Sequence, residues 1–512
     1  MTSSSARVDV VVGAGHNGLV AACYLAQAGR DVIVLEQLDR PGGGSRTEET
    51  VAGYRFDLHS AAHNIINMTD IPAELDLRGA GLDYMEMDPF SLAVHADGRR
   101  VRFHRSVEAT VDSIAEDSPA EGAAYRRFID KAMPIVRTIL PAVRGDTSVK
   151  VLPAQAANAL RALRRQPAGT VRDVISPYDS LLRRWLSSDL TRGPVSAFAA
   201  HAGVGPGVPG GALFAFWQAA YHLFGQWHGR GGAQNLTDAL VARLRALGGE
   251  LRCSSPVARI EAPAGRVRAV VLEGGERVRA DSVITAIDPK TALLELLDPP
   301  LAGETAADLA AARRSNVVQS VLHVATNRLP PYPNGRPGDW NGLQSYVDRL
   351  DVLTSAWVQA EAGRLPDPVP LYAFTPSAID PSLAPPGHHT VYLACPAAPS
   401  RLDGGWAARR EEFVEQCLAT VERRAPGFRA SIRGLSAWTP DDMERVERWP
   451  GGHPMYLDIA LDQLGAFRPT KRLGGWRTPV TGLYVSGAGT NPTGGIAGTP
   501  GRQAARALLA DT

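Results

Sequence analysis

Six residues near the amino terminus, Gly13-Ala14-Gly15-His16-Asn17-Gly18, have the spacing of a turn that cradles a pyrophosphate. Gly13 permits the tight turn, Gly15 lets the backbone approach a phosphate, and Gly18 lets the helix that follows pack closely on the strand before it. The start of that helix supplies unpaired N–H donors and the positive end of a dipole. Glu36, eighteen residues past Gly18, is placed to accept hydrogen bonds from ribose hydroxyls. A lone glycine motif carries little weight in a chain with 51 glycines, so its setting has to carry it. Val8 to Val12 reads as a buried strand, Leu19 to Ala28 as a helix closed by Gly29, and Asp31 to Leu35 as a second buried strand.

The next segment, Pro41-Gly42-Gly43-Gly44-Ser45-Arg46-Thr47, follows Glu36 before a third strand could form. A second glycine loop so close to the first suits an extended flavin dinucleotide better than a nicotinamide one, with Arg46 near the pyrophosphate or the flavin. At the other end of the chain, Gly482 to Ser486 reads as a strand running into Gly487-Ala488-Gly489. Gly494-Gly495-Ile496-Ala497-Gly498 then precedes a helix from about Pro500 to Leu509. A second helix start aimed at the pyrimidine edge of a flavin would stabilise the negative charge of its reduced form. No second glycine unit exists for a nicotinamide, so the expected cofactor is FAD alone.

Quoted together, VVGAGHNGLVAACYLAQAGRDVIVLEQLDRPGGGSRTEE, the 231–260 and 280–289 stretches, LDQLGAFRP and GLYVSGAGTNPTGGIAGTPGRQAARALL resemble the phytoene desaturase-like branch of the FAD-dependent oxidoreductases, relatives of the amine oxidases. The resemblance implies cofactor contacts from Gly13, Ala14, Gly15, Asn17, Gly18, Glu36, Gln37, Gly43, Gly44, Arg46, Gly487, Ala488, Gly494, Gly495 and Ile496, with the Val257 backbone meeting the adenine. It implies an α/β fold: a discontinuous Rossmann-like FAD-binding domain from 1–89, 230–289 and 436–512, and a mixed-sheet and helical substrate domain from 90–229 and 290–435. Within the latter, 132–229 would form a helical cap or a membrane-facing part. Two segments depart from the usual pattern, Gly231 to Asn235 and Asn491-Pro492-Thr493, and both are expected near the cofactor or substrate.

The elements between these signatures read as follows. Leu236 to Leu247 has helical spacing, Val257 to Ile260 is a strand, 266–272 with 277–284 suggest a hairpin, and Asp281 to Ile287 reads as a strand returning to the sheet. Val317 to Ala325, Pro370 to Phe374 and Thr390 to Cys395 read as strands, and 408–424 as an amphipathic helix. From Gly193 to Gly229 there is no charged residue, and Ala212 to Trp227 holds six of the chain's 33 aromatics. Phe214, Trp217, Tyr221 and Phe224 recur at helical spacing, which suits either an ordinary buried helix or the wall of an apolar substrate tunnel.

Dehydrogenation of a carbon–carbon bond needs a hydride acceptor and a route for a proton. His59 and His63 follow the strand-like Tyr54–Leu58, and His63 is the first candidate for a base, against a histidine satisfied within the core. Tyr221 is the second, with His222, His228, His453 and Tyr456 behind it. Amine oxidases commonly present a lysine to the flavin through water. Lys290 here sits in an Asp-Pro-Lys turn and reads as structural, which disfavours amine oxidation. The resulting expectation is an FAD-dependent enzyme that desaturates an apolar, polyene or isoprenoid-like substrate and passes electrons to oxygen or a quinone. Redox-neutral isomerisation, oxidation of a natural-product or amine intermediate, and a non-catalytic flavin-bound partner protein are the alternatives.

Composition narrows the partners. With 54 Lys+Arg against 53 Asp+Glu in 512 residues, a nucleic-acid role is disfavoured. Four scattered cysteines offer neither a disulfide framework nor a zinc site, and no metal is expected. No secretory signal or membrane-spanning stretch is read, so the expected location is cytoplasmic. Residues 132–186 carry nine Arg/Lys against three Asp. That excess fits a solvated helix face, a homo-oligomer interface or peripheral contact with anionic lipid.

Overall fold

The computed structural model describes residues 7–145 and 169–512; the central part of the basic 132–186 stretch lies outside them. Five short strands form one parallel sheet in the order Leu483–Val485, Ser282–Thr285, Val8–Val12, Asp31–Leu35, Glu250–Arg252. Every strand but the last is predominantly apolar and largely buried, as a sheet covered on both faces requires; the exceptions are Asp9, which is paired with Arg30, and polar residues at strand ends. Three helices pack together on it: His16–Gln27, Gln234–Ala246 and Thr499–Asp511. Residues from both chain ends and the middle thus share one hydrophobic core.

Val257–Glu261 lies in a separate four-stranded sheet with Ala269–Leu272, Arg277–Arg279 and Leu297–Asp298. The expected hairpin is present but ends at Arg279, and Ser282–Thr285 crosses back to the parallel sheet beside Val8–Val12. A seven-stranded mixed sheet builds the other half of the molecule. Its order is Ile432–Trp438, Val317–Thr326, His389–Pro399, Tyr372–Phe374, Leu343–Ser345, Ser91–Val94, Arg100–Phe103. The first strand runs past residue 436, so it crosses the boundary expected there.

Helices cover one face of this sheet around the largest core cluster. The longest, Pro119–Val143, is capped at Ser118 and tolerates Pro134 and Pro141 inside it. Its carboxyl end is tied to the last helix of the chain. Thr499 donates to the Val143 carbonyl at 2.9 Å, Arg502 to that of Arg144 and Gln503 to that of Gly145. The aromatic segment forms two short helices, Ala212–Phe216 and Gln218–Phe224, joined through Trp217 with helical backbone angles.

Candidate active site

The glycine turns from the two ends of the chain meet at Ala286. A Cβ on Gly13 would come within 3.3 Å of the Ala286 carbonyl oxygen, and one on Gly487 within 3.0 Å. Both glycines have positive φ, 98° and 93°, so a side chain is excluded there by backbone as well as by space. A Cβ on Gly18 would sit 2.0 Å from the Gly13 carbonyl oxygen, and this is the close helix–strand packing read from the sequence. Gly15 is different: nothing of the protein lies within 4 Å of a Cβ there, and no side chain caps the helix it begins. The second glycine loop is stitched to the first by the Gly42 N–H donating to the Ala14 carbonyl at 2.9 Å. His16 Nε2 lies 3.1 Å from the Gly495 carbonyl oxygen and links the first turn to the last.

A cavity of about 420 Å³ opens from these turns. Gly15, His16, Asn17, Gly43, Gly44, Ala286, Gly487, Ala488, Gly494, Gly495 and Ile496 line one end of it. Much of the rest is lined by apolar side chains: Ile139 and Val143 from the long helix, Phe198, Leu213, Phe214, Trp217 and Tyr221 from the cap, and Trp449, Met455, Ile459 and Leu464 from the carboxyl-terminal third, with His59, His201, Gln226 and Gln319 among the polar exceptions. Three of the four aromatics in the predicted stripe therefore face the cavity. Phe224 does not, and carries the Arg144 guanidinium over its ring instead.

The buried carboxylate of Glu36 accepts from the Ala14 N–H at 2.8 Å and the Leu38 N–H at 3.0 Å. Burial raises its pKa against those bonds. Gln37 beside it is exposed. The Glu36 backbone meets the 252–255 segment, through Glu36 N–H to Arg252 at 2.9 Å and Ser255 N–H to Glu36 at 2.8 Å. This brings Val257 to the same edge. Arg46 is buried and ion-paired with buried Glu447. That carboxylate also lies 3.4 Å from His59 Nε2.

The two histidines after Tyr54–Asp57 part company. His59 lines the cavity and packs on Trp449 with ring centroids 4.5 Å apart. His63 does not line it; its Nδ1 bonds the Tyr84 hydroxyl at 2.7 Å, and burial lowers its pKa to about 3. Alternation along an extended segment could have shown that residues four apart diverge once the chain turns, but nothing in the sequence marks where it turns. Tyr221 lines the cavity, stacked on Phe90 at 5.2 Å. Lys290 donates to the Ala310 carbonyl at 2.8 Å, and among the described residues no lysine lines the cavity. Of the two unusual segments, Pro492 and Thr493 line it. Gly231 to Asn235 does not, being held instead by Asp57, Thr47 and Asp380. Among the described residues, no group of three His, Cys, Asp or Glu side chains could hold a metal ion.

The residues present fit a dinucleotide. Asn17 Oδ1, Ser45 Oγ, Ser486 Oγ and Thr493 Oγ1 are buried without a hydrogen-bond partner, and all four belong to the glycine signatures. Asn17 and Thr493 also line the cavity, beside the open space over Gly15 and the uncapped helix start, so their free oxygens can meet a polar ligand there. Fold and site together define an FAD-dependent oxidoreductase. Residues 18–509 match the flavin containing amine oxidoreductases, and the chain belongs to that family. It is 29% identical over 550 residues to a rat protein described as pyridine nucleotide-disulfide oxidoreductase domain-containing protein 2, covering 98% of this chain and 93% of that one. It is 26% identical over 527 residues to the lycopene-forming phytoene desaturase of a Paracoccus strain, covering 99% and 98%. A triple mutant of putrescine oxidase shares the fold with a TM-score of 0.66 at 18% identity, over 99% of both chains.

Proposed function

We propose that this flavoprotein dehydrogenates a carbon–carbon bond of an apolar substrate, polyene or isoprenoid in character, and delivers the electrons to oxygen or a quinone. The observation that carries this reading is the apolar chamber opening directly from the glycine turns with, among the described residues, no lysine in its wall. Bound FAD would supply the acceptor for one hydride, which carries both electrons of the dehydrogenation. The chain would hold it through Gly13 to Gly18, Glu36 and the two later glycine loops, with the substrate side supplied by the helical segment around Phe198 to Tyr221 and by Trp449, Met455, Ile459 and Leu464.

The rest is work for side chains. Phe214, Trp217 and Tyr221 exclude water and orient an apolar chain by shape. Burial keeps His16 neutral, with its pKa near 4, and raises that of Tyr221, so neither carries charge into the chamber near neutrality. His59 is the proposed proton acceptor in place of His63, because it faces the cavity and is backed by the Glu447 carboxylate. Tyr221 is proposed to position substrate.

The likeness to phytoene desaturases supports a long apolar substrate. The test is anaerobic mixing of yellow holoprotein with a polyene such as phytoene, followed by mass analysis. Loss of two hydrogens with bleaching of the flavin is expected. A product of unchanged mass would make the enzyme an isomerase, and bleaching only by amines would overturn the reading.

A further inference from the structure

One wall of the apolar chamber is polar, and its protons can be counted. Gln319, Tyr392 and Tyr372 stand on the three neighbouring strands Val317–Thr326, His389–Pro399 and Tyr372–Phe374 of the mixed sheet. His201 ends the helix Asp189–His201 and faces them. The Tyr392 hydroxyl donates its one proton to the His59 carbonyl at 3.1 Å. Its contact with Gln319, at 3.3 Å, must therefore come from the amide nitrogen. The same Nε2 donates to the Tyr372 hydroxyl. Among the described residues the Tyr372 proton has no acceptor other than His201 Nδ1, 2.8 Å away, so it is assigned there. Burial holds the pKa of His201 near 4, so the ring carries one proton near neutrality, and that proton sits on Nε2.

Two polar atoms remain. Gln319 Oε1, an acceptor, and His201 Nε2–H, a donor, flank one phenol oxygen on residues that both line the cavity, and neither has a hydrogen-bond partner among the described residues. Phe198 and Ala202, on the same helical face as His201, keep the surroundings apolar. A hydrocarbon packed here would leave both atoms desolvated and unpaired. A carboxylate would face Gln319 Oε1 with a lone pair. A hydroxyl satisfies both at once, accepting from His201 and donating to Gln319.

We propose that His201 and Gln319 form a specificity site for a neutral hydroxyl, so that an apolar alcohol is preferred as substrate over a plain hydrocarbon of the same shape. This rests on the apolar chamber of the proposed function and specifies its substrate class.

The test titrates wild-type holoprotein with farnesol, farnesyl methyl ether and farnesene, following tryptophan fluorescence from Trp217 and Trp449 in the cavity wall. Farnesol is expected to bind about tenfold more tightly than farnesene, the worth of one or two buried hydrogen bonds, with the ether between them because it accepts but cannot donate. Gln319→Leu and His201→Phe, accepted only if they retain flavin absorbance, are expected to bring the ratio to within about twofold while farnesene binding holds. Equal affinities in the wild type would overturn the proposal, as would a ratio that persists in folded variants; the wild-type series decides even if no variant folds. Flavin bleaching is read separately. Discrimination without bleaching supports the hydroxyl site and counts against dehydrogenation. Equal affinities with bleaching do the reverse, and no binding by any of the three overturns both.

Discussion

At the scale of single residues, two glycines of one motif have opposite consequences. A side chain at Gly18 collides with the Gly13 carbonyl, whereas one at Gly15 meets no protein atom. Gly18→Ala is therefore expected to destabilise the fold by several kcal/mol, about what a buried overpacked site costs. Gly15→Val is expected to leave thermal unfolding of the flavin-free protein within a few degrees of wild type while abolishing flavin retention. Differential scanning fluorimetry and the visible spectrum separate the two. His59→Gln should keep the flavin but lower turnover by about 10² or more, as loss of a general base does, whereas His63→Gln should act chiefly through stability. The glycine roles were legible because they follow from backbone geometry that only glycine allows. That His59 and not His63 lines the cavity was not, because it depends on how a loop turns after Asp57. Arg468 was equally silent. It is fully buried and donates to the carbonyls of Met455, Leu457, Asp458, Gln463 and Ala488, so it shapes the cavity floor without touching it.

At the scale of elements, apolar runs such as Val8–Val12 and Ser282–Thr285 announced themselves because both of their faces are covered. Glu250–Arg252 went unseen: an edge strand of three residues, two of them charged, has no hydrophobic period to read. The polar wall of the chamber was hidden for a different reason, since its members come from three strands and a helix more than a hundred residues apart in part. The aromatic stripe was visible, and its spacing survives the break at Trp217 because that residue keeps helical angles. The carboxyl end of the long helix depends on the last helix of the chain. Gln503→Ala removes the bond to the Gly145 carbonyl, and trypsin is expected to cut after Arg144 severalfold faster, with no change in the free energy of global unfolding beyond about 1 kcal/mol.

At the scale of the whole molecule, the sheet that carries the glycine turns is completed only when residues 8 and 485 stand in one layer, so the site exists only in the fully assembled chain. Buried neutral histidines make that assembly sensitive to acid. Burial holds His16 and His201 near 4 and His63 near 3, all below their ordinary value. As pH falls below about 6.5 the unfolded chain binds protons at these positions and the folded one does not. Stability is present above that value and lost on the way down to about 4, by on the order of 1 kcal/mol per pH unit for each histidine. Calorimetry should show the unfolding temperature falling across that interval. Among the described residues no helix is long and apolar enough to cross a membrane. The most direct measurement is the electron density of the yellow holoprotein. One continuous dinucleotide is expected, reaching from the Gly15 turn past Ala286 to Ala488 and Gly495 with its ring facing Tyr221; density at one turn only, or a ring seated outside the apolar chamber, would contradict it.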